Sequence, residues 1–553
     1  MNESRQPPVE RSPTVPLERK GFWAISLTLL MIAYNISVMP AIMPAIVAEF
    51  DASVGYIQSI LVLFSLTTAA FAPTTENLCR YFGRTPVFLT GLMLYGIGIG
   101  FTSLSPSVGA LAVSFSFWTG LAATPLISTP WSVVDLSYEG KAQEQATVVL
   151  IIASALGGLS GALLGGFIAS QLSWRWAFAP SLVVLIIIGM LRRAIPKLML
   201  RRELPIDWIG GLLSFLGLGS ILVGISLSGE FGWWEPRRLF VIAGVVLPPF
   251  AISIVPTLIA VGVILLGFFV FWQRRQANRR QASLLRVGLL RNRGFVLGML
   301  TAMLHTVITS GLQFNLFQFV PVAMSLNPFQ TALTVIPYNI TMILVIVMVL
   351  KYLALGDRIP PKYIVHSGLM LLAVGIGLLY HSIHRQVRSW ELMPGLMLMG
   401  VGSGLFMAYI SRLTYTDVAK HEKPEGTGIY NPVQNLGSSL GRAILGTLLV
   451  YYASRGIVDG ILTQLGATIS LARRSQLIAD LQEMIQTLSK REVGEVILRN
   501  LPPEMAPLVR PIALEAAMTG MRASLITALL IVVVCLLLST RLPKYASRAE
   551  RQN

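Results

Sequence analysis

The sequence predicts an all-α integral membrane protein of fourteen transmembrane helices in two repeated halves. Three observations carry that expectation. Apolar runs, each closed by a short polar break, recur from Phe22 to Leu542, and a run of roughly twenty such residues crosses the ~30 Å hydrocarbon core as a helix that satisfies its own backbone. Of the 553 residues, 54% are hydrophobic and 12% charged, with a mean hydropathy of +0.68, whereas about a quarter of a soluble chain is charged. Finally, LGGLSGALLGG at 156–166 returns as LGSSLGRAILG at 436–446.

The spans fall near 22–47, 54–78, 85–104, 107–135, 146–170, 176–192, 207–228, 239–272, 294–324, 328–353, 362–383, 392–416, 428–453 and 518–540. Residues 1–20, rich in Pro and charge, read as a disordered cytoplasmic tail. They are not a cleavable signal, because the apolar run behind them is too long for an h-region. The eighth span is too long for one straight helix, and Pro248-Pro249 with Pro256 either kink it or turn part of it into an interfacial segment.

Charge sets the orientation. The segment 273–293 carries Arg274, Arg275, Arg279, Arg280, Arg286, Arg291 and Arg293 without an acid, and 192–206 carries Arg192, Arg193, Lys197, Arg201 and Arg202. Short loops this basic stay cytoplasmic. An even number of spans then puts both tails inside, in agreement with Arg19-Lys20 and with Arg541, Lys544, Arg548 and Arg551. The net charge of +17 therefore marks one membrane face, and no nucleic-acid partner is expected. The long outside loop 454–517 is amphipathic in parts such as 469–488 and is expected to fold as helices over the extracytoplasmic mouth. Cys79 and Cys535 suggest neither a disulfide nor a metal site, and no cofactor is expected. The sequence carries no GxxxxGK[ST] loop, so ATP is not the direct driver. It also lacks HExxH and paired catalytic carboxylates, which argues against an enzyme.

The repeat aligns Gly157, Gly161 and Gly166 with Gly437, Gly441 and Gly446 without a gap, and Gly165 belongs to the same run. Small residues at i and i+4 let helix backbones approach closely in lipid. Such a stripe is either plain packing or, given two copies in corresponding spans, the duplicated architecture of alternating-access carriers.

With WRWAF at 174–178, PIDWIGGLLSFLGLGSILVGISLSGEFGW at 205–233, LLRNRGF at 289–295 and PEGTGIYNPVQNLGSSLGRAILGTLL at 424–449, these motifs resemble the major facilitator superfamily, and within it the fourteen-helix drug:proton antiporter group. The resemblance implies a six-helix bundle at 21–200, an inserted helix pair at 201–280, a second six-helix bundle at 281–540 and a cytoplasmic tail at 541–553. It also implies a secondary transporter of the cell (inner) membrane that exports small organic or drug-like solutes by alternating access. Two other readings stand beside it: an uptake carrier or uniporter, and a transport-dead sensor or scaffold.

Departures from the family pattern are informative. Asn35 stands where the first helix of the family carries an aspartate, Ser116 precedes Gly120 where an arginine is usual, Gln434-Asn435 replaces an arginine-glutamine pair, and Ala162 replaces a proline. In the cytoplasmic loop after the second span the gating motif reads Glu76, Arg80, Gly83 and Arg84, with Glu76 and Arg80 spaced to pair on a helix end. Its counterpart in the second half keeps Asp357-Arg358. Glu49, Asp51, Asp135, Asp207, Glu391 and Asp417 all fall at span ends, so the family's carboxylate route for protons is in doubt.

Two ionisable groups remain in mid-membrane. Arg442 is either satisfied by groups of a neighbouring helix or binds an anionic or polar solute. His305 is either a hydrogen-bonded packing residue or a proton carrier for coupling. By the resemblance, helices one, four, nine and twelve line a cavity, which nominates Asn35, Trp118, Thr119, His305, Gln313, Asn315 and Tyr409. Arg412 either joins them or snorkels to headgroups. Amides, hydroxyls, aromatics and cations suit a neutral or anionic amphipath better than a lipophilic cation. Membrane lipids and protons complete the expected partners.

Overall fold

A computed structural model describes residues 18–52, 54–138, 140–195, 207–234, 240–242, 245–247, 252–278, 287–353, 359–418, 423–487 and 490–544. The first half comprises α1 (Arg19–Phe50), α2 (Val54–Phe82) and α3 (Arg84–Ser103). Helix α4 follows, in which Val108–Leu111 and Gly120–Ser137 flank a π-helical stretch Ala112–Thr119. Next come α5 (Gly140–Gln171), a 3-10 turn Trp174–Phe178 and α6 (Ala179–Met190). Helices α7 (Trp208–Phe231) and α8 (Ile254–Asn278) form the inserted pair. The second half begins with α9 (Arg293–Met324), α10 (Pro328–Val347), α11 (Pro361–Ser382), α12 (Ser389–Thr414) and α13 (Lys423–Leu465). It ends with α14 (Leu471–Thr487), α15 (Lys490–Arg499) and α16 (Ala506–Ser539).

Among the described residues, thirteen helices are long and apolar enough to span a bilayer, and α2 adds the shorter apolar segment Leu63–Ala72. The chain is thus a multi-pass membrane protein. Local chemistry fixes several starts: Asn327 and Gln330 form a reciprocal capping box on α10, Asn292 caps α9, and Ser107 caps α4. Each half has its own apolar core, one around Met39, Phe88, Tyr95 and Phe115, the other around Phe295, Phe319, Leu369 and Phe406.

Helix pairing repeats between the halves. Helix α1 packs on α5 as α9 packs on α13, and α3 packs on α4 as α11 packs on α12. The bundles meet along two seams, α2 against α13 and α5 against α10, and the inserted pair leans on α2.

Two expectations need correction. The apolar run near 239–272 is not one helix: β1 (Phe240–Ile242) pairs antiparallel with β2 (Val245–Leu247), and α8 begins only at Ile254. Hydropathy cannot separate these states, but FVI and VVL are β-branched and aromatic, Pro248-Pro249 cannot continue a helix, and Pro256 is tolerated in the first turn of α8. Nor does span thirteen stop at 453. Helix α13 has 43 residues, about 64 Å at 1.5 Å per residue, so its last turns rise above the membrane. There Ile457 and Val458 pack with Ile478 and Leu481 of α14 and with Ala516 of α16. Asp459 binds Arg474 through hydrogen bonds of 2.7 and 2.6 Å.

Candidate functional site

The intra-bundle contacts that hold each half together are steric in origin. A Cβ on Gly157 or Gly161 would run into the backbone carbonyls of Leu30 and Tyr34, and one on Gly437 or Gly441 into those of Met303 and Val307. Both pairs are four residues apart on both helices, so α5 lies on α1 in the register in which α13 lies on α9. Gly165 backs onto Val38. The third aligned pair diverges: a Cβ on Gly166 would lie 3.7 Å from the Phe329 Cα across the α5–α10 seam, whereas one on Gly446 would meet the Phe314 ring within its own bundle.

Helix α1 turns Asn35 into the first bundle. Its amide donates to Tyr95 Oη at 3.0 Å and to the Met31 carbonyl at 3.1 Å, and its oxygen accepts from Ser181 Oγ at 2.8 Å. In the second bundle His305 Nε2 lies 3.2 Å from Ser403 Oγ, which also accepts from Tyr338 Oη at 3.2 Å. The imidazole stacks on Phe406 with centroids 4.2 Å apart. Asn35, Thr119, Asn315 and Tyr409 are all at most 1% exposed and His305 is 4% exposed. These residues therefore do not gather around one cavity in this conformation.

The other candidates are dispersed as well. Thr119 donates to the Ser114 carbonyl within the π-helical turn, and Trp118 reaches back to the Leu94 carbonyl on α3. Asn315 donates to the Leu445 carbonyl on α13 at 2.9 Å, and Gln313 lies 3.5 Å from Asn339. The Arg412 guanidinium sits 5.5 Å over the Tyr409 ring. Arg442 differs from all of these: it reaches out of its bundle, and its Nη2 donates to Ser65 of α2 at 3.2 Å.

At the α2–α3 turn, Glu76 pairs with Arg84 at 2.5 Å, with side chains 12% and 5% exposed. The i,i+4 expectation had paired it with Arg80, whose side chain lies outside the described ones. Gly83 explains the partner: at φ 91 it ends α2 in a conformation that disfavours any side chain, and the chain turns so that Arg84 opens α3. Asp357 and Arg358 lie outside the described residues.

Two carboxylates that sequence reasoning left at span ends are organising centres. Glu49, beyond the apolar part of α1, accepts from Trp174 Nε1 at 2.6 Å and from Arg175 Nη1 at 2.5 Å. Arg175 also donates to the Ser105 carbonyl, so WRWAF ties α1 to the α3–α4 turn. The hydrogen bond from Arg175 holds the Glu49 carboxyl below its usual range. Asp207 caps α7 through the Gly210 N–H and accepts from Trp272 Nε1 and Gln273 Nε2 of α8, which locks the start of α7 to the end of α8. A carboxylate at a span end next to a tryptophan-rich motif was the signal available for Glu49.

Comparison with known proteins agrees with this architecture. The chain is similar to a probable actinorhodin transporter of Streptomyces coelicolor, 27% identical over 481 residues that cover 83% of this chain and 78% of that one. It is also similar to multidrug resistance protein Stp of Mycobacterium tuberculosis, 23% identical over 508 residues that cover 91% and 88% of the two chains. Among solved structures, the human organic anion transporter MFSD10 (TETRAN) superposes with a TM-score of 0.55 at 14% identity, over 97% of this chain and 100% of that one. The POT family transporter PepTSo gives 0.53, also at 14% identity, over 88% and 100%. At that identity the likeness is one of fold. The profile of the Major Facilitator Superfamily matches residues 25–208 and 207–442, and with most of both halves covered, the chain belongs to that superfamily.

Proposed function

We propose that the protein is a secondary active exporter of small organic, drug-like solutes, seated in the cell (inner) membrane with both tails in the cytoplasm. One observation carries the mechanism: two halves with the same glycine-tight internal contacts, α1–α5 and α9–α13, meet among the described residues chiefly along the seams α2–α13 and α5–α10. Each bundle is stiff because its helices touch backbone to backbone, so motion is confined to the seams. Rocking about them exposes the space between the bundles to one side at a time. The Glu76–Arg84 pair at the α2–α3 turn anchors the cytoplasmic end of α2, the helix that forms the moving seam.

The names of the relatives, an actinorhodin transporter and multidrug resistance proteins, support the solute class and the outward direction. Positive-inside loops support the orientation. Protons are the proposed coupling ion by family analogy. His305 is the candidate relay, and it needs a path to water that opens when the Ser403 contact breaks.

The test is transport of a fluorescent drug-like dye in everted vesicles with an imposed pH gradient. Accumulation above equilibrium that collapses with the gradient supports gradient-driven export. Movement that only equalises the dye identifies a uniporter and rejects that reading. Unimpaired gradient dependence in His305→Ala removes His305 as the relay.

A further inference from the structure

Arg442 stands in mid-membrane with no acidic partner among the described residues. A guanidinium offers five N–H donors, and Ser65 takes one of them while giving its own proton to the Leu61 carbonyl at 3.3 Å. Arg442 Nε is buried and has no partner. Asn435 and Ser438 precede Arg442 by seven and four residues, so the three share one face of α13. All three are half-buried, and neither Asn435 nor Ser438 makes a side-chain hydrogen bond among the described residues. The repeat places Ala162 at the equivalent position of α5, so that position of the opposite seam carries no such group. One seam thus presents a donor-rich face lacking a carboxylate, in a medium where a cation is stable only with compensation.

We propose that Arg442, flanked by Asn435 and Ser438 and faced by Ser65 across the α2–α13 seam, is a binding subsite for the oxyanion of an amphipathic solute, a carboxylate or a group of like charge and shape. This deepens the exporter reading and rests on it for the solute's passage, though not for binding. The oxyanion takes the donors that the protein leaves free, and the solute itself supplies the counter-charge. Because Ser65 and the oxyanion compete for Arg442, occupancy loosens the Arg442–Ser65 hydrogen bond that crosses this seam.

The protein in phosphatidylcholine nanodiscs is titrated with pyrenebutyrate and with pyrenebutanol, its neutral counterpart, with empty-disc signal subtracted. Wild type is expected to bind the carboxylate about tenfold more tightly, the scale of one charge-assisted hydrogen bond. Arg442→Gln is expected to erase that preference while pyrenebutanol still binds, Arg442→Lys to keep part of it, and Ser65→Ala to leave it intact. Equal binding of the two probes by wild type, or a preference that survives Arg442→Gln, overturns the proposal. If Arg442→Gln does not fold, the double variant Asn435→Leu, Ser438→Ala decides: a fall of about threefold in the preference supports the subsite, and no change rejects it. Discs containing phosphatidylglycerol separate the sources of the oxyanion. An unchanged preference supports a solute, and a preference abolished by the lipid assigns the site to a headgroup and overturns the solute assignment. Absence of dye transport in vesicles would sink the exporter reading and leave this binding result standing.

Discussion

In the first bundle a buried amide, Asn35, joins Tyr95 of α3 and Ser181 of α6, while in the second Ser403 of α12 joins the imidazole of His305 on α9 to Tyr338 of α10. Asn35 and His305 sit on corresponding helices, α1 and α9, but the helices that supply their partners do not correspond under the repeat, whereas the glycine contacts α1–α5 and α9–α13 correspond turn for turn. Backbone-to-backbone packing leaves no room for a side chain, so it constrains both copies equally. Polar networks need only be internally satisfied, and each half has found its own solution. Asymmetry also reaches the seams, where Arg442 answers Ala162.

The largest effect that tests this comparison is steric. Gly161→Leu and Gly441→Leu should each abolish monodisperse protein in detergent, since overpacking costs about 1–3 kcal/mol even where neighbours can shift and here the obstacle is backbone. A half that tolerates the change would break the equivalence. Next, Glu76→Ala leaves the buried Arg84 without its carboxylate and should lower thermal stability by about 3 kcal/mol. Glu76→Gln, which keeps a hydrogen-bond acceptor, should lose less; equal losses would mean the charge is not what matters.

Smaller effects sharpen the contrast between the polar cores. Asn35→Leu strands Tyr95 and Ser181, and Ser403→Ala strands His305 and Tyr338, each at about 1–3 kcal/mol. Only the second should alter the pH dependence of dye transport. Smallest is Arg175→Ala, about 0–1 kcal/mol for a solvent-exposed pair. Because Arg175 depresses the Glu49 carboxyl, the stability it supplies is present above the ordinary glutamate range and is lost as pH falls through the depressed value. The gap in melting temperature between wild type and Arg175→Ala should therefore shrink on acidification, and a widening gap would contradict the sign.

What the chain reveals in advance follows from how local the physics is. Hydropathy located the spans, and the glycine register was readable because close approach leaves a spacing in each copy of the repeat. The hairpin at 240–247 was missed because an apolar strand and an apolar helix look alike to hydropathy. That Glu76 also reaches Arg84 was not legible, because it depends on one positive φ at Gly83 that helical spacing does not encode. Helix rotation was the deepest gap: Asn35, Asn315 and Tyr409 sit on helices apolar on nearly every face, so periodicity could not say that they turn into their bundles rather than toward the space between them.

The long C-terminal extension of α13 has a mechanical consequence. It carries α14, and α14 also rests on α2 and α7, which belong to the other side of the α2–α13 seam. A small tilt of the second bundle is levered over the length of the shaft into a displacement of several ångströms at its tip, about 35 Å beyond Arg442 at 1.5 Å per residue. In the proposed orientation, opening toward the outside slides or peels that strut from its rest, which makes the crest a stop on that end of the cycle, and a fluorophore on the exposed Leu471 would register each stroke.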